Sequence, residues 1–283
     1  EMLYQTRNGV DLGIVAASRQ ALLDKAAKAG APVVGVVRDP YRLCFSARPE
    51  RGLDVLLEEI MPRVLAQEPR AQLVLSTYFN PVEHLRAFYE HCAGLAARLG
   101  DRVLNTGNLT KLQLYAQYLE SGVYVYPVPS KMAAGFDEVS CISAMEAQAC
   151  GLPMVTSARG ALPETLHPDA GVLVAQPIHS AVYYDEFAAH VVRLIQDRAA
   201  WQAASDAGVA HAQTLAWGKV AEEWTELFER ELAARCADKG SLANHFWRRS
   251  DIYAARECLR QIEQIEDETH RVAQQEKSRF VAG

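Results

Sequence analysis

Two carboxylates stand out in the stretch FDEVSCISAMEAQACGLP, Phe136 to Pro153. Glu138 and Glu146 are separated by seven small or apolar residues. A carboxylate held at the mouth of a site can accept both hydroxyls of a ribose diol. Upstream, the loop SARPERG, Ser46 to Gly52, carries Arg48 and Arg51 and opens a helix. A helix N-terminus offers free N–H groups and partial positive charge, so it favours anions. Guanidinium forks suit phosphate oxygens, and the glycine allows backbone to approach a ligand closely. Each feature also has a plainer reading. Ser143 and Glu146 have capping-box spacing, Glu138 suits an acid near a helix start, and the arginines suit a solvated turn. Against the capping box, the helix is expected to start near Ser140, which puts Glu146 past the first turn.

These residues need a scaffold, and from Tyr41 the pattern alternates strand and helix. YRLCFSA, AQLVLSTY, RVLNTG, GVYVYPVP, PMVTS and GVLVAQ read as strands. GLDVLLEEIMPRVLAQ has Leu53, Leu56, Leu57, Ile60 and Val64 at helical spacing. VEHLRAFYEHCAGLAARLG, stopped by Gly100, TKLQLYAQYLES and SCISAMEAQACG are further helices. This alternation predicts an α/β fold: a doubly wound, Rossmann-like parallel sheet with helices on both faces. Ligands of such sheets sit at the carboxyl ends of the strands. After about Gln176 the chain becomes a series of C-terminal amphipathic helices. In the last of these, Ile252, Ala255, Leu259, Ile262 and Ile265 form one narrow apolar stripe, which predicts packing on a neighbour or self-association.

Composition narrows the class. The 283 residues carry 29 basic and 35 acidic side chains, a formal charge of −6. That balance argues against a general nucleic-acid binder while leaving room for one local basic site. No apolar run reaches the roughly 18 residues of a transmembrane segment, and the first residues lack the build of a signal peptide. Six cysteines without a Cys-x-x-Cys pair read as reduced thiols of a cytoplasmic protein. The histidines lack metal-ligand spacing, so no metal and no cofactor are expected.

Taken together, FDEVSCISAMEAQACGLPMVTSARGALPE resembles the hallmark segment of retaining glycosyltransferases of family 4, whose GT-B fold pairs two Rossmann-like domains. Glu138 and Glu146 match its two acids, and Ala147, Ala149, Gly151, Pro153, Val155, Pro163 and Glu164 match the rest. RPERGLDVLLEEI resembles the same family's phosphate-binding turn. RVLNTGNLTKLQLYAQYLESGVYVYPVPS resembles its strand, glycine turn, helix and strand-Pro element. RNGVDL, Asn8 to Leu12, resembles the linker ahead of the C-terminal domain.

The resemblance implies a donor substrate, a nucleotide-diphosphate sugar, with transfer to an acceptor in cell-surface glycan or glycoconjugate synthesis. It implies that Glu146 binds the ribose, Glu138 contacts the donor sugar, and N–H groups around Val139, Ser140 and Cys141 hold sugar hydroxyls and pyrophosphate. Arg51 would bind the diphosphate, and Gly107, Asn108, Leu109 and Lys111 would flank the base. Glu138 and Arg51 are the implied catalytic residues. The family often has an arginine where this chain has Ser46, and Arg48 is the candidate replacement. No Asp-x-Asp metal motif is present. The organisation implied is a linker and lead-in over 1–40, a nucleotide-sugar-binding domain over 41–215 and C-terminal helices over 216–283. The acceptor-binding N-terminal domain is expected as a missing partner, and a peripheral position at the inner membrane is the further expectation for location. Two rival readings stand beside this one: a non-catalytic nucleotide-sugar-binding module, and a different doubly wound enzyme such as an epimerase or phosphatase.

Overall fold

The computed structural model describes residues 7–30, 35–77, 83–132 and 136–237. All six expected strands form: β1 Asp39–Phe45, β2 Gln72–Leu75, β3 Val103–Asn105, β4 Ser121–Tyr126, β5 Met154–Ser157 and β6 Gly171–Val174. The helices are α1 Leu12–Lys28, α2 Leu53–Val55, α3 Met61–Gln67, α4 Arg86–Leu99, α5 Lys111–Glu120, α6 Ile142–Ala149, α7 Leu162–Thr165, α8 Ala181–Gln196, α9 Arg198–Thr214 and α10 Trp217–Ala237. A π-helical turn, Leu56–Ile60, runs α2 into α3. The stripe Leu53, Leu56, Leu57, Ile60 and Val64 is the buried face of this continuous helix.

The strands are all parallel, in the order β3-β2-β1-β4-β5-β6. Right-handed crossovers that build outward from β1 in two directions place their helices on opposite faces of the sheet. On one face α5 and α6 pack with α1 and α9; on the other lie the helix from Leu53 to Gln67, α4 and α8. β4 is buried along its whole length, as a central strand covered on both faces must be. The order reverses between β1 and β4, so their carboxyl ends form the crevice where such sheets bind ligands.

Two local findings refine the expected pattern. The lead-in contains α1, which the strand-helix alternation does not announce. Asp11 caps it by accepting from the Ile14 N–H at 3.0 Å, and Ile14, Val15 and Leu22 join the core. α6 begins at Ile142, two residues after Ser140, because the chain turns tightly there, with the Ile142 N–H donating to the Ser140 carbonyl at 3.1 Å, and Glu146 lies past the first turn as expected. Ser143 therefore lies inside the helix, and no side-chain cap forms at Cys141. The apolar stripe Ile252 to Ile265 lies outside the described residues. Among those described, no helix is long and apolar enough to cross a membrane.

Candidate functional site

The loop after β1 winds through a 3-10 turn, Pro49–Arg51, into α2. Gly52 joins them at φ +101°, and a Cβ there would sit 2.2 Å from the Pro127 carbonyl oxygen. The group that approaches this glycine is thus the backbone after β4, not a ligand as the sequence suggested. Asp54 completes the junction by accepting from Ser130 Oγ at 2.8 Å and the Lys131 N–H at 2.9 Å. The arginine turn and the loop that leads to Glu138 are stitched together at the switch point.

The three polar residues of the turn differ in what they meet. Ser46 spends its hydroxyl inside the protein, on the phenols of Tyr118 and Tyr124. Arg48 pairs with Glu50 Oε1 at 2.8 Å, and Glu50 also accepts from the Tyr89 hydroxyl at 2.8 Å. Hydrogen bonding to Tyr89, opposed by desolvation and aided by Glu50, holds the Arg48 guanidinium above its ordinary pKa. Arg51 lies 3.2 Å from the centroid of the Phe136 ring, and no described carboxylate pairs with it. Among the described residues, Arg51 is therefore the charge of this turn left without a counter-ion.

Beyond β3, Gly107 turns the chain at φ +68° with open space where a Cβ would be, and Asn105 Oδ1 accepts its N–H at 2.9 Å. Asn108 is exposed and Leu109 half-buried. A capping box does form here, between Thr110 and Gln113, and it fixes the start of α5. Lys111, the first residue of α5, reaches across to Glu146 Oε1. The Tyr115 hydroxyl donates to the same oxygen at 3.0 Å. Glu146 is 4% exposed, yet its Oε2 takes no hydrogen bond from a described residue. The carboxylate is clasped by one oxygen and presents the other.

Glu138 lies in the loop ahead of α6, where Oε2 accepts from the Tyr126 hydroxyl at 2.8 Å. Its backbone is wedged by Gly160: the Ala161 N–H donates to the Glu138 carbonyl at 2.7 Å, and a Cβ on Gly160 would lie 2.4 Å from that oxygen. Val139 is 84% exposed, Ser140 half-buried and Cys141 buried. Asn8, on the lead-in, donates to Ser140 Oγ at 2.9 Å. Burial, with repulsion from Glu138, pushes the Cys141 thiol up to about 12, so it stays protonated near neutrality. Among the described residues, no group of three or more His, Cys, Asp or Glu is placed to hold a metal ion.

The sequence pattern did not reveal Tyr115, Tyr126, Asp54 or Phe136 as parts of this site. Tyr115 had a signal, since it stands one turn after Lys111 on the same helix face. Tyr126 had another, as the last residue of β4 at its carboxyl end. Asp54 and Phe136 act through contacts across loops that no spacing rule predicts.

Residues 40–197 match the family described as Glycosyl transferases group 1. The chain is 27% identical over 185 residues to a GDP-mannose-dependent monoacylated alpha-(1-6)-phosphatidylinositol monomannoside mannosyltransferase of Corynebacterium glutamicum, covering 65% of this chain and 45% of that protein. It is 30% identical over 221 residues to a D-inositol 3-phosphate glycosyltransferase of Kribbella flavida, covering 76% of this chain and 47% of the other. Among solved structures it resembles a sucrose-phosphate synthase from Thermosynechococcus elongatus, with TM-score 0.60 and 26% identity over 82% of this chain and 54% of that one. The chain thus spans about half the length of the curated relatives it matches.

Proposed function

Because the chain belongs to the glycosyl transferases of group 1, we propose that it is the donor-binding half of a retaining, family 4 glycosyltransferase, which moves a sugar from a nucleoside diphosphate to an acceptor. The observation that carries this reading is the clasped carboxylate of Glu146 at the sheet's switch point, with Oε2 open to receive ribose hydroxyls. Glu138, steadied by Tyr126, meets the sugar. Arg51 and the N–H groups at the start of α6 face the diphosphate.

Chemistry at this site is mostly electrostatic. As the glycosidic bond breaks, negative charge builds on the leaving diphosphate, and preorganised donors stabilise it. Arg51 supplies a full charge that no described carboxylate neutralises. Glu138 orients the sugar and stabilises positive charge at the anomeric carbon; it is not assigned as a nucleophile. Arg48 is the weaker candidate for the family's missing arginine, because Glu50 already engages it.

The relatives' names, one GDP-mannose-dependent and both glycosyltransferases, support a nucleotide-sugar donor and a role in glycoconjugate synthesis. In this reading the acceptor site is supplied by the half of the relatives' length that this chain does not match. Positioning an acceptor hydroxyl can contribute roughly 7–11 kcal/mol to a transfer reaction. This chain alone is therefore expected to bind donor without transferring it.

A thermal-shift panel of nucleoside diphosphates and their sugars tests the reading, because a bound ligand raises the melting temperature by mass action. Stabilisation by at least one nucleoside diphosphate is expected. No shift with any of them at millimolar concentration would refute the assignment.

A further inference from the structure

A cavity of about 490 Å3 opens at the other end of the sheet, where Pro40 and Gly122 begin β1 and β4. Its volume lies in the range of small-ligand sites. Arg19 from α1, Arg38 from the lead into β1 and Arg198 from α9 all line it. Arg38 is already committed: Nη1 donates to the Tyr118 carbonyl at 2.9 Å and the Ser121 carbonyl at 3.1 Å, and Nη2 donates to the Cys150 carbonyl. It thereby answers the orphan carbonyls that end α5 and α6.

Arg19 and Arg198 are exposed. Among the described residues neither forms an ion pair, and Arg198 Nη2 meets the neutral Gln202 Oε1 at 3.1 Å. The Trp201 ring meets two of the three guanidiniums, 5.2 Å from Arg38 Cζ and 4.4 Å from Arg198 Cζ. Among the described residues Asp206 is the single carboxylate of the lining, and it accepts from Gln202 Nε2 at 2.8 Å. Desolvation lowers Arg38 to about 10; the Cys150 thiol works the other way, while Arg19 and Arg198 repel it further. Three like charges around one concavity raise the local potential and draw anions in.

We propose that this cavity is a second binding site, remote from Glu138 and Glu146, for a phosphate-bearing anion gripped by the forks of Arg19 and Arg198 against the Trp201 wall. Arg38 anchors the wall and supplies background charge. The phosphate belongs either to a soluble ester or to the headgroup of an anionic lipid, since both present the same oxygens to the same forks.

The test uses the full 283-residue chain carrying Arg51→Ala, so that the candidate donor site is weakened. Inorganic pyrophosphate is titrated calorimetrically, and flotation with vesicles of phosphatidylcholine is compared with and without phosphatidic acid. Arg19→Gln and Arg198→Gln are then added together; both side chains are exposed, and circular dichroism verifies the fold. Binding of pyrophosphate that falls at least 10-fold in the added pair supports the site with a soluble ligand. Binding to acidic vesicles alone, lost in the same pair, supports it with a lipid headgroup. Absence of binding to either probe, or binding within twofold of the parent after both substitutions, overturns the proposal.

Discussion

The Tyr115 hydroxyl donates to Glu146 Oε1 at 3.0 Å, on the same oxygen that the Lys111 ammonium reaches. Both donors come from α5, one turn apart, while the carboxylate comes from α6. Two helices on one face of the sheet thus hold a buried acid by one oxygen, while its second takes no hydrogen bond from a described residue. Tyr115→Phe keeps the ring and removes the donor. A hydrogen bond to a charged carboxylate contributes about 1.5–3 kcal/mol. Lys111 still holds the same oxygen in the variant, so only part of this reaches the ligand, and nucleoside diphosphate affinity should fall about 2- to 10-fold by calorimetry. Unchanged affinity would mean that Lys111 alone orients Glu146.

Arg51 and Arg48 should separate cleanly. Arg51 has an aromatic contact and no described counter-ion, whereas Arg48 pairs with Glu50. Charge-assisted hydrogen bonds contribute about 1.5–3 kcal/mol. Arg51→Ala should weaken a nucleoside diphosphate by roughly 10- to 150-fold and the bare nucleoside much less. Arg48→Ala should change both by less than about threefold, the scale of an exposed ion pair. Equal losses for the two ligands in Arg51→Ala would place that side chain away from the phosphates.

Gly52 and Gly107 give a stability contrast. Both have positive φ, but a Cβ at Gly52 would collide with the Pro127 carbonyl oxygen at 2.2 Å, while Gly107 faces open space. Gly107→Ala should cost only the left-handed backbone penalty, about 1–2 kcal/mol. Gly52→Ala adds a steric clash and should cost about 2–5 kcal/mol. Urea denaturation of the two variants measures the difference directly, and equal midpoints would show that the turn relaxes freely.

Alkali should unfold the domain through its tyrosines. Burial raises the phenols of Tyr115, Tyr118, Tyr124 and Tyr126 above their ordinary value. The unfolded chain begins to lose these protons near pH 10. A raised folded pKa gives stability that is complete below the unfolded pKa and lost as pH rises toward the folded one. Each such phenol removes about 1.4 kcal/mol per pH unit above that point. Thermal melts should therefore be flat from about pH 7 to 9 and fall steeply above about pH 10. Tyr126→Phe should make the fall shallower.

Much of this was legible in the residues, and the reason is local. Every strand and each helix from Leu53 to Ala149 announced itself by hydrophobic period, because a parallel sheet covered on both faces buries whole runs such as Ser121–Tyr126. The segment holding Glu138 and Glu146 was likewise read as a helix with one acid ahead of it and the other within it. What stayed hidden depends on tertiary contact. Gly52 reads as a ligand-facing glycine until Pro127 is seen against it. The start of α6 depends on a tight turn at Ser140, and Ser46, a candidate phosphate ligand by position, meets Tyr118 and Tyr124 instead. α1 escaped notice because its anchoring residues are few and the helix rests on α5 rather than on the sheet.

A ligand-binding Glu146 and a purely structural one differ in what loss of the charge does to ligand affinity. Glu146→Gln keeps the shape and removes the charge that a ribose diol would meet. The measurement is a calorimetric titration of a nucleoside diphosphate into wild-type chain and Glu146→Gln, with circular dichroism verifying the fold of each. Saturable binding to the wild type, weakened at least 10-fold in a folded variant, is the predicted result, corresponding to a charge-assisted bond of about 1.5 kcal/mol or more. Wild-type affinity in the variant would leave Glu146 as no more than an internal partner for Lys111 and Tyr115.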